Sequence, residues 1–192
     1  MGRQIDAPIM TSNYQSKQFT KKISQLKKRC QLEQNSPIIV SSPLKRCLQT
    51  ARLARKEIKE KSSRIIIDNS FIETDMGDFS KENGSRLKKR YGEKLIHQWM
   101  YSPETFAFPG GESYHQVTKR VKRGLMHLVT QYRQRNIFIV THVDIIKIIL
   151  LKIVLRASFN YRRKILIPNG SISIVKILPK KEFLIEGINI NI

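Results

Sequence analysis

Hydrophobic positions recur along the chain in two periods, one typical of helices and one typical of buried strands. Helical spacing of apolar residues and short continuous apolar runs alternate from one end of the sequence to the other. The predicted helices span residues 14–32, 44–58, 113–132 and 144–155, and the predicted strands span residues 37–40, 65–67, 137–141 and 171–178. This alternation predicts an α/β fold with a largely parallel sheet.

Capping signals mark two of the helix starts. Ser42 and Pro43 are interpreted as the N-cap and first-turn proline of the second helix. Ser113 with Gln116 three residues later predicts a capping box. Residues 76–108 are polar and irregular and are expected to form loops and short helices that cover a functional site, whereas the chain from about residue 179 is interpreted as a C-terminal tail.

Composition indicates one domain that carries a large positive charge. With 192 residues and 40% hydrophobic content, the chain is predicted to form a single domain over residues 1–192. The formal net charge of +21 favours anionic partners, so a nucleic-acid-associated protein is one alternative. Residues 17–29 are the densest basic patch, but no base-stacking aromatic residues interleave with it. Most of these charges are therefore interpreted as solvated faces, and nucleic acid as a nonspecific partner only.

Cysteine usage and hydropathy indicate a protein of the cytoplasm. The two cysteines, Cys30 and Cys47, have no metal-ligand spacing, which fits a reducing compartment and predicts no metal site. The most apolar window, residues 143–155, contains two lysines and is too short to span a bilayer. We therefore expect a cytoplasmic protein without a membrane partner.

Two polar residues follow predicted strands at their carboxyl ends. Arg46 lies in the first turn of the helix after the strand at 37–40, and His142 directly follows the strand at 137–141. Ligands of open α/β sheets bind at this edge, where helix N-termini point amide hydrogens at anions. An arginine in a helix first turn can add a two-pronged contact to phosphate oxygens. A surface ion pair for Arg46 and a hydrogen-bonded rim position for His142 are the simpler interpretations.

Several segments taken together resemble the histidine phosphatase (phosphoglycerate mutase-like) superfamily. The sequence Ser-Ser-Pro-Leu-x-Arg-x-x-Gln-Thr-Ala at residues 41–51 is similar to the second motif of that family. Further similar segments are residues 2–11, Glu73 in its Phe-Ile-Glu context, Pro-Gly-Gly-Glu-Ser at 109–113, and Val-Thr-His at 140–142. The resemblance covers residue 2 to about residue 178 and implies a three-layer α/β/α fold with a mostly parallel sheet.

The resemblance also implies roles for individual residues. Arg46 would hold the phosphate, together with Arg3 and the backbone at Val143, where the family usually has glycine. His142 would be the second histidine of the pocket, and Glu73 would donate the proton to the leaving oxygen, with Asp75 as the alternative. No metal or organic cofactor is required.

The family's nucleophile is not found in the sequence. An Arg-His-Gly motif at the end of the first strand normally supplies the phosphorylated histidine, and no such motif precedes residues 41–51. His97, His115 and His127 lack those neighbours; His115 is the alternative nucleophile. Because the motif's strand lies inside the family's sheet, its two neighbours are expected to lack their shared partner. We therefore expect a longer natural polypeptide in which Met1 is not the true start.

Three functions remain open at the level of sequence. The resemblance implies a phosphatase that hydrolyses a small phosphomonoester through a phosphohistidine, with a phosphoglycerate mutase-type phosphomutase as its variant. The missing nucleophile indicates a noncatalytic phosphate-ligand-binding protein as the second. The basic charge keeps a nucleic-acid-associated protein as the third, and basic residues within 76–108 suit an acidic substrate.

Overall fold

The structure is a computed structural model that describes residues 4, 6–7, 13–30, 32, 36–58, 64–80 and 82–190, with side chains described from residue 16 onward in the first helix. The helices are α1 (Asn13–Arg29), α2 (Lys45–Ile58), α3 (Gly84–Tyr101), α4 (Tyr114–Gln131) and α5 (Val143–Ile148), the last continuing as a π-helix over Ile149–Val154. The strands are β1 (Ile38–Ser41), β2 (Ile66–Ile67), β3 (Ile137–Val140), β4 (Ile174–Ile177) and β5 (Phe183–Gly187).

Two core clusters place helices on both faces of the parallel sheet. Alternation along β3 sends Ile137 and Ile139 into a cluster with α4 and α5, and Phe138 and Val140 into a cluster with α1 and α2. Apolar runs buried on both faces are typical of parallel strands between helices. The predicted α/β fold with a parallel sheet is confirmed, and it has helix, sheet and helix layers.

The strands form two separate sheets within the described residues. The parallel sheet has the order β2-β1-β3, with Ile38 opposite Ile137 and Ser41 opposite Val140. Strands β4 and β5 form an antiparallel pair of their own. The amide of Ile38 donates to the carbonyl of Asn136, and the amide of Ser42 donates to that of Val140. The backbone groups of the even-numbered residues of β3 therefore point to β1. The odd-numbered residues of β3 point their backbone groups to the other side, where no described strand pairs with them.

The two predicted capping signals have different outcomes. Ser113 and Gln116 form the capping box of α4, whose buried residues include Val117 and Val121, as predicted. The N-cap prediction for Ser42 is correct only in part: its hydroxyl accepts a long hydrogen bond from the Leu44 amide at 3.4 Å, but the regular helix α2 begins at Lys45. The same hydroxyl lies next to a histidine ring across the sheet edge, and this tertiary contact competes with capping.

The interpretation of residues 76–108 as loops and short helices is only partly correct. Short 3-10 helices at Gly77–Ser80 and Pro103–Thr105 flank α3, which spans 18 residues but is divided into two shorter helical pieces by the non-helical backbone of Gly92. Many basic residues and Gly92, which has a φ of 77°, interrupt the helical pattern in the sequence. Buried Leu87 and Ile96 nevertheless hold α3 against the aromatic residues of the core.

The C-terminal segment contributes a strand. β5 lies within the part interpreted as a tail from about residue 179, and it pairs with β4. None of the described helices combines the length and the apolar character needed to cross a membrane.

Candidate active site

His142 lies at the carboxyl end of β3, between the strand and the start of α5. Its ring is buried, and its Nε2 atom lies 2.7 Å from the Ser42 hydroxyl and 3.4 Å from the Cys47 sulfur. Burial, with a smaller contribution from the positive charges of Arg46 and Arg120, lowers the pKa of His142 to about 3. The imidazole is therefore neutral at physiological pH.

Glu73 lies beside His142 at the end of the segment that follows β2. Its Oε2 atom is 3.8 Å from His142 Nδ1, and its side chain is equally buried. Burial, with a smaller contribution from the nearby carboxylate of Asp144, raises the pKa of Glu73 to about 7. Because the histidine is neutral, this contact is not an ion pair, and near pH 7 a substantial fraction of Glu73 carries a proton.

Asp144 places a second buried carboxyl close to the site. It lies in the first turn of α5, and burial raises its pKa. The Tyr114 hydroxyl donates a hydrogen bond to Asp144 Oδ2 at 3.3 Å. The site thus contains two carboxyl groups and a neutral histidine, balanced by the positive charge of Arg46.

Arg46 occupies the first turn of α2, half-buried, as the sequence predicted. Its charge lowers the pKa values of His142, Glu73 and Cys47, so the guanidinium lies close enough to interact electrostatically with all three groups. Burial raises the pKa of the Cys47 thiol to about 12, so this sulfur is uncharged at neutral pH. The structure therefore brings Arg46, Glu73 and His142 together.

The other predicted contact residues lie at the edge of this group. Val143 is the first residue of α5 and is 40% exposed. Arg3 lies outside the described residues. Two described neighbours reach the site: Asp6 Oδ1 accepts from the Lys45 amide at 2.6 Å, and Gln4 Nε2 donates to Asp75 Oδ1 at 3.2 Å.

Asp75, the alternative proton donor, is bonded within its own turn. Its Oδ1 atom accepts a hydrogen bond from the Gly77 amide at 3.0 Å. Its backbone amide donates to Glu112 Oε2 at 2.9 Å, and its carbonyl accepts from the Glu112 amide at 2.8 Å. Asp75 therefore joins the segment after Glu73 to the Pro-Gly-Gly-Glu-Ser loop.

The glycines of that loop allow two backbone segments to approach closely. A Cβ atom on Gly111 would lie 2.4 Å from the Asp75 carbonyl oxygen, and one on Gly77 would lie 2.1 Å from the Pro109 carbonyl oxygen. The Asp78 amide donates to the same Pro109 oxygen at 3.0 Å. The backbone of this motif thus packs closely against the segment that follows Glu73.

Arg120 is a site residue that the sequence analysis missed. It projects from α4 and pairs with Glu112, its Nε atom lying 2.9 Å from Oε1. One signal was present in the sequence: Arg120 follows the buried residue Val117 by three positions and precedes buried Gly124 by four, so it adjoins the apolar stripe of the helix. An arginine beside a buried stripe needs partners for its fork of donors.

The remaining histidines lie elsewhere. His97, His115 and His127 are exposed on α3 and α4, and His97 packs against Tyr101 in a tilted arrangement with ring centroids 4.5 Å apart. In the part of the chain that the structure describes, no group of three or more His, Cys, Asp or Glu side chains is placed to hold a metal ion.

Fold and site together define an α/β protein whose charged and titratable residues meet at the carboxyl ends of parallel strands. Residues 20–191 match the family model of the histidine phosphatase superfamily (branch 1), and the chain belongs to this superfamily. The match begins at residue 20, so it does not include residues 2–11, and it extends beyond residue 178, where the resemblance in sequence was expected to end.

Among curated proteins, the chain is 29% identical over 138 residues to the bifunctional protein Rv2228c of Mycobacterium tuberculosis, covering 72% of this chain and 36% of that protein. It is 32% identical over 84 residues to a 2,3-bisphosphoglycerate-dependent phosphoglycerate mutase of Azorhizobium caulinodans, covering 44% and 40%. The chain thus spans little more than a third of the length of the first of these relatives.

Solved structures share the fold. A mycobacterial glucosyl-3-phosphoglycerate phosphatase superimposes with a TM-score of 0.76 at 19% identity, covering 98% of this chain and 90% of that one. The alpha-ribazole phosphatase from Shigella flexneri gives a TM-score of 0.73 at 20% identity, covering 96% and 86%.

Proposed function

We propose that this chain carries the phosphate-binding and proton-donating half of a phosphomonoester phosphatase, in which Arg46 and His142 bind the phosphoryl group and Glu73 protonates the leaving oxygen. The observation that carries the proposal is the placement of Glu73, a buried acid with a pKa of about 7, next to the histidine at the end of β3. A general acid is most effective when its pKa lies near the working pH.

The proposed site residues have two tasks, which are to stabilise the negative charge of the phosphoryl group and to supply a proton to the leaving oxygen. Arg46 supplies the positive charge that equatorial phosphate oxygens require, and the neutral His142 ring supplies a hydrogen-bond donor. When a nitrogen nucleophile attacks phosphorus, the bond to the ester oxygen breaks and that oxygen takes the proton of Glu73. Water then attacks the phosphorus of the phosphorylated nitrogen, the phosphorus–nitrogen bond breaks to release phosphate, and the Glu73 carboxylate accepts a proton of that water.

We propose that the nucleophilic histidine lies on an additional strand along the open edge of β3. A strand parallel to β3 in that position would end beside His142. The division of the strands into two sheets supports this proposal, because the odd-numbered residues of β3 offer unpaired backbone groups in the described structure. The exposed positions of His97, His115 and His127 give no support to a substitute nucleophile.

A noncatalytic phosphate-ligand-binding protein is the second candidate. It is favoured by the lack of a second histidine beside His142 among the described residues. Mutase chemistry is a variant of the proposed phosphatase, and phosphoglycerate mutases are among the relatives of the chain. Both cysteines are free thiols, which agrees with a reducing compartment, and a cytoplasmic location remains a prediction.

Binding is the first test. Calorimetric titration with inorganic phosphate and with vanadate is expected to show one site, and Arg46→Met is expected to weaken it roughly tenfold or more because charged hydrogen bonds are lost. Arg52→Met, which removes an exposed arginine of the same helix, is the matched control and is expected to bind normally. Equal binding by both variants would remove Arg46 from the site.

Turnover is the second test. Hydrolysis of p-nitrophenyl phosphate is measured with the chain alone, with added imidazole as a substitute nucleophile, and with an N-terminal extension that restores a strand ending in Arg-His-Gly. Activity in either supplemented sample, lost in the His142→Gln variant, would support the phosphatase. Anion binding without turnover in all samples would favour the noncatalytic alternative, and no binding at all would contradict both.

A further inference from the structure

The segment that carries Glu73 has its backbone held by side chains. Over residues 70–73, all four carbonyl oxygens accept hydrogen bonds from side chains of other elements. Those of Ser70 and Ile72 accept from one terminal nitrogen of Arg120 at 2.9 Å each, and that of Glu73 accepts from the other at 3.3 Å. The carbonyl of Phe71 accepts from the Thr141 hydroxyl at 2.7 Å.

The same arginine is held in turn by a carboxylate. The Nε and terminal nitrogen of Arg120 donate to the two oxygens of Glu112 at 2.9 and 3.0 Å, a two-pronged pair whose side chains are only 14% and 16% exposed. Glu112 Oε2 also accepts from the Asp75 amide. The backbone is therefore tied to one ion pair on both sides of Glu73.

This arrangement answers a physical difficulty of the site. Apart from a single 3-10 turn at Asn69–Phe71, the backbone from Asp68 to Met76 makes no regular secondary structure. A segment without a hydrogen-bonded ladder opens at low cost, and an opened segment would let the Glu73 carboxyl reach water. Side-chain donors fixed to helix α4 replace the missing ladder.

We propose that Arg120, with Glu112 as its partner, is a positioning residue that holds Glu73 against His142, and that Thr141 serves the same segment from the strand side. The inference rests on the proposed function in one respect only, namely that the positioned Glu73 acts as the proton donor. Lysine can replace Arg120 only in part, because a single ammonium group cannot bond two carboxylate oxygens and three carbonyls in a fixed fork.

The test on the protein as it exists is a pH titration of the Glu73 carboxyl carbon by NMR, with carbon-13 in the glutamate side chains. Arg120→Met and Glu112→Gln are expected to lower the pKa of Glu73 by about one unit or more, since the segment opens to water. Arg120→Lys is expected to have a smaller effect and keeps the test available if Arg120→Met does not fold. Arg123→Met, which removes an exposed arginine from the same helix, is the matched control and is expected to change nothing.

If the samples with added imidazole or with the N-terminal extension hydrolyse phosphate esters, their rates supply a second measurement. Loss of a positioned acid is expected to slow hydrolysis of phenyl phosphate roughly tenfold or more, because phenolate is a poor leaving group that needs a proton. Hydrolysis of p-nitrophenyl phosphate, which has a better leaving group, is expected to slow by less than about threefold. The affinity for vanadate is expected to stay unchanged. A general loss of structure would instead reduce both rates of hydrolysis and the affinity for vanadate together.

The outcomes separate the two proposals. An unchanged Glu73 titration in folded Arg120 variants would overturn the positioning role, whatever the activity. A changed titration in a chain that binds no anion and turns over no ester would retain the positioning role and refute the proposed function.

Discussion

Ser42 and His142 are in direct contact across the carboxyl edge of the sheet, with the serine hydroxyl 2.7 Å from His142 Nε2, although 100 positions separate them in the sequence. Ser42 is fully buried, and it follows the last residue of β1 as His142 follows the end of β3. The contact joins the ends of the neighbouring strands β1 and β3 at the point where phosphate is proposed to bind.

Replacing Ser42 by alanine is expected to destabilise the fold. The change leaves a buried ring nitrogen of His142 without its oxygen partner, which costs about 1 to 3 kcal/mol. The measurement is urea unfolding of Ser42→Ala beside Ser85→Ala, a change at an exposed serine of α3. Equal midpoints for the two variants would show that the contact contributes nothing.

The buried His142 is expected to make the protein sensitive to acid. Its pKa is lowered to about 3 in the folded state, from an ordinary value of 6.5. As pH falls below about 6.5, the unfolded chain binds a proton that the folded chain does not, so stability falls between about pH 6.5 and pH 3. Relative to His142→Gln, the wild type is expected to lose about 2 kcal/mol between pH 7 and pH 5. A difference in unfolding free energy that stays constant over this range would contradict the lowered pKa.

Glu73 is expected to have the opposite effect to His142, lowering the stability of the fold as pH rises. Its pKa is raised to about 7 in the folded state, from an ordinary value of 4.5. Its contribution is complete below about pH 4.5 and is lost as pH rises to about 7, because the unfolded chain ionises first. The Glu73→Gln variant is therefore expected to gain on the order of 3 kcal/mol over the wild type between pH 4 and pH 8. Denaturant unfolding across this range tests the expectation, which fails if the two proteins keep a constant difference.

Gly111→Ala is expected to destabilise the fold strongly. The added Cβ atom would lie 2.4 Å from the Asp75 carbonyl oxygen and 2.6 Å from the Gly77 amide nitrogen, both backbone atoms that cannot rotate away. We expect the free energy of unfolding to fall by at least about 1 to 3 kcal/mol, the range typical of overpacking. Gly84→Ala is the matched control, since nothing lies within 4 Å of its added Cβ. Similar thermal midpoints for both variants would contradict the close approach of the two loops.

Elements that depend on local signals were predicted well. The capping box at Ser113 and the apolar stripe through Val117 and Val121 identified α4, because a helix start and a buried helix face are both determined within a few residues. The order of strands and helices was sufficient to predict a parallel α/β sheet. The motif residues Arg46, Glu73 and His142 were also identified from the sequence, and the structure brings them together.

Elements that depend on distant contacts were not predicted. Helix α3 was hidden by its basic residues and by Gly92, and aromatic packing around Phe79 stabilises it in the folded chain. The Ser42 hydroxyl was interpreted as a helix cap because its neighbours in sequence suggested one. The hydrogen bonds from Arg120 to residues 70–73 join segments about 50 positions apart, and no local sequence pattern indicates such contacts.

By itself the sequence determined the class of fold, the family and the residue types of the site, since periodicity and motif spacing are properties of neighbouring positions. Only the tertiary structure decided which groups are buried beside one another. Burial beside Asp144 and among apolar side chains changes Glu73 from an ordinary carboxylate into an acid that is partly protonated near neutral pH, and burial keeps His142 neutral. These changes depend on desolvation and on charges brought together by folding, and neither exists until the chain has folded.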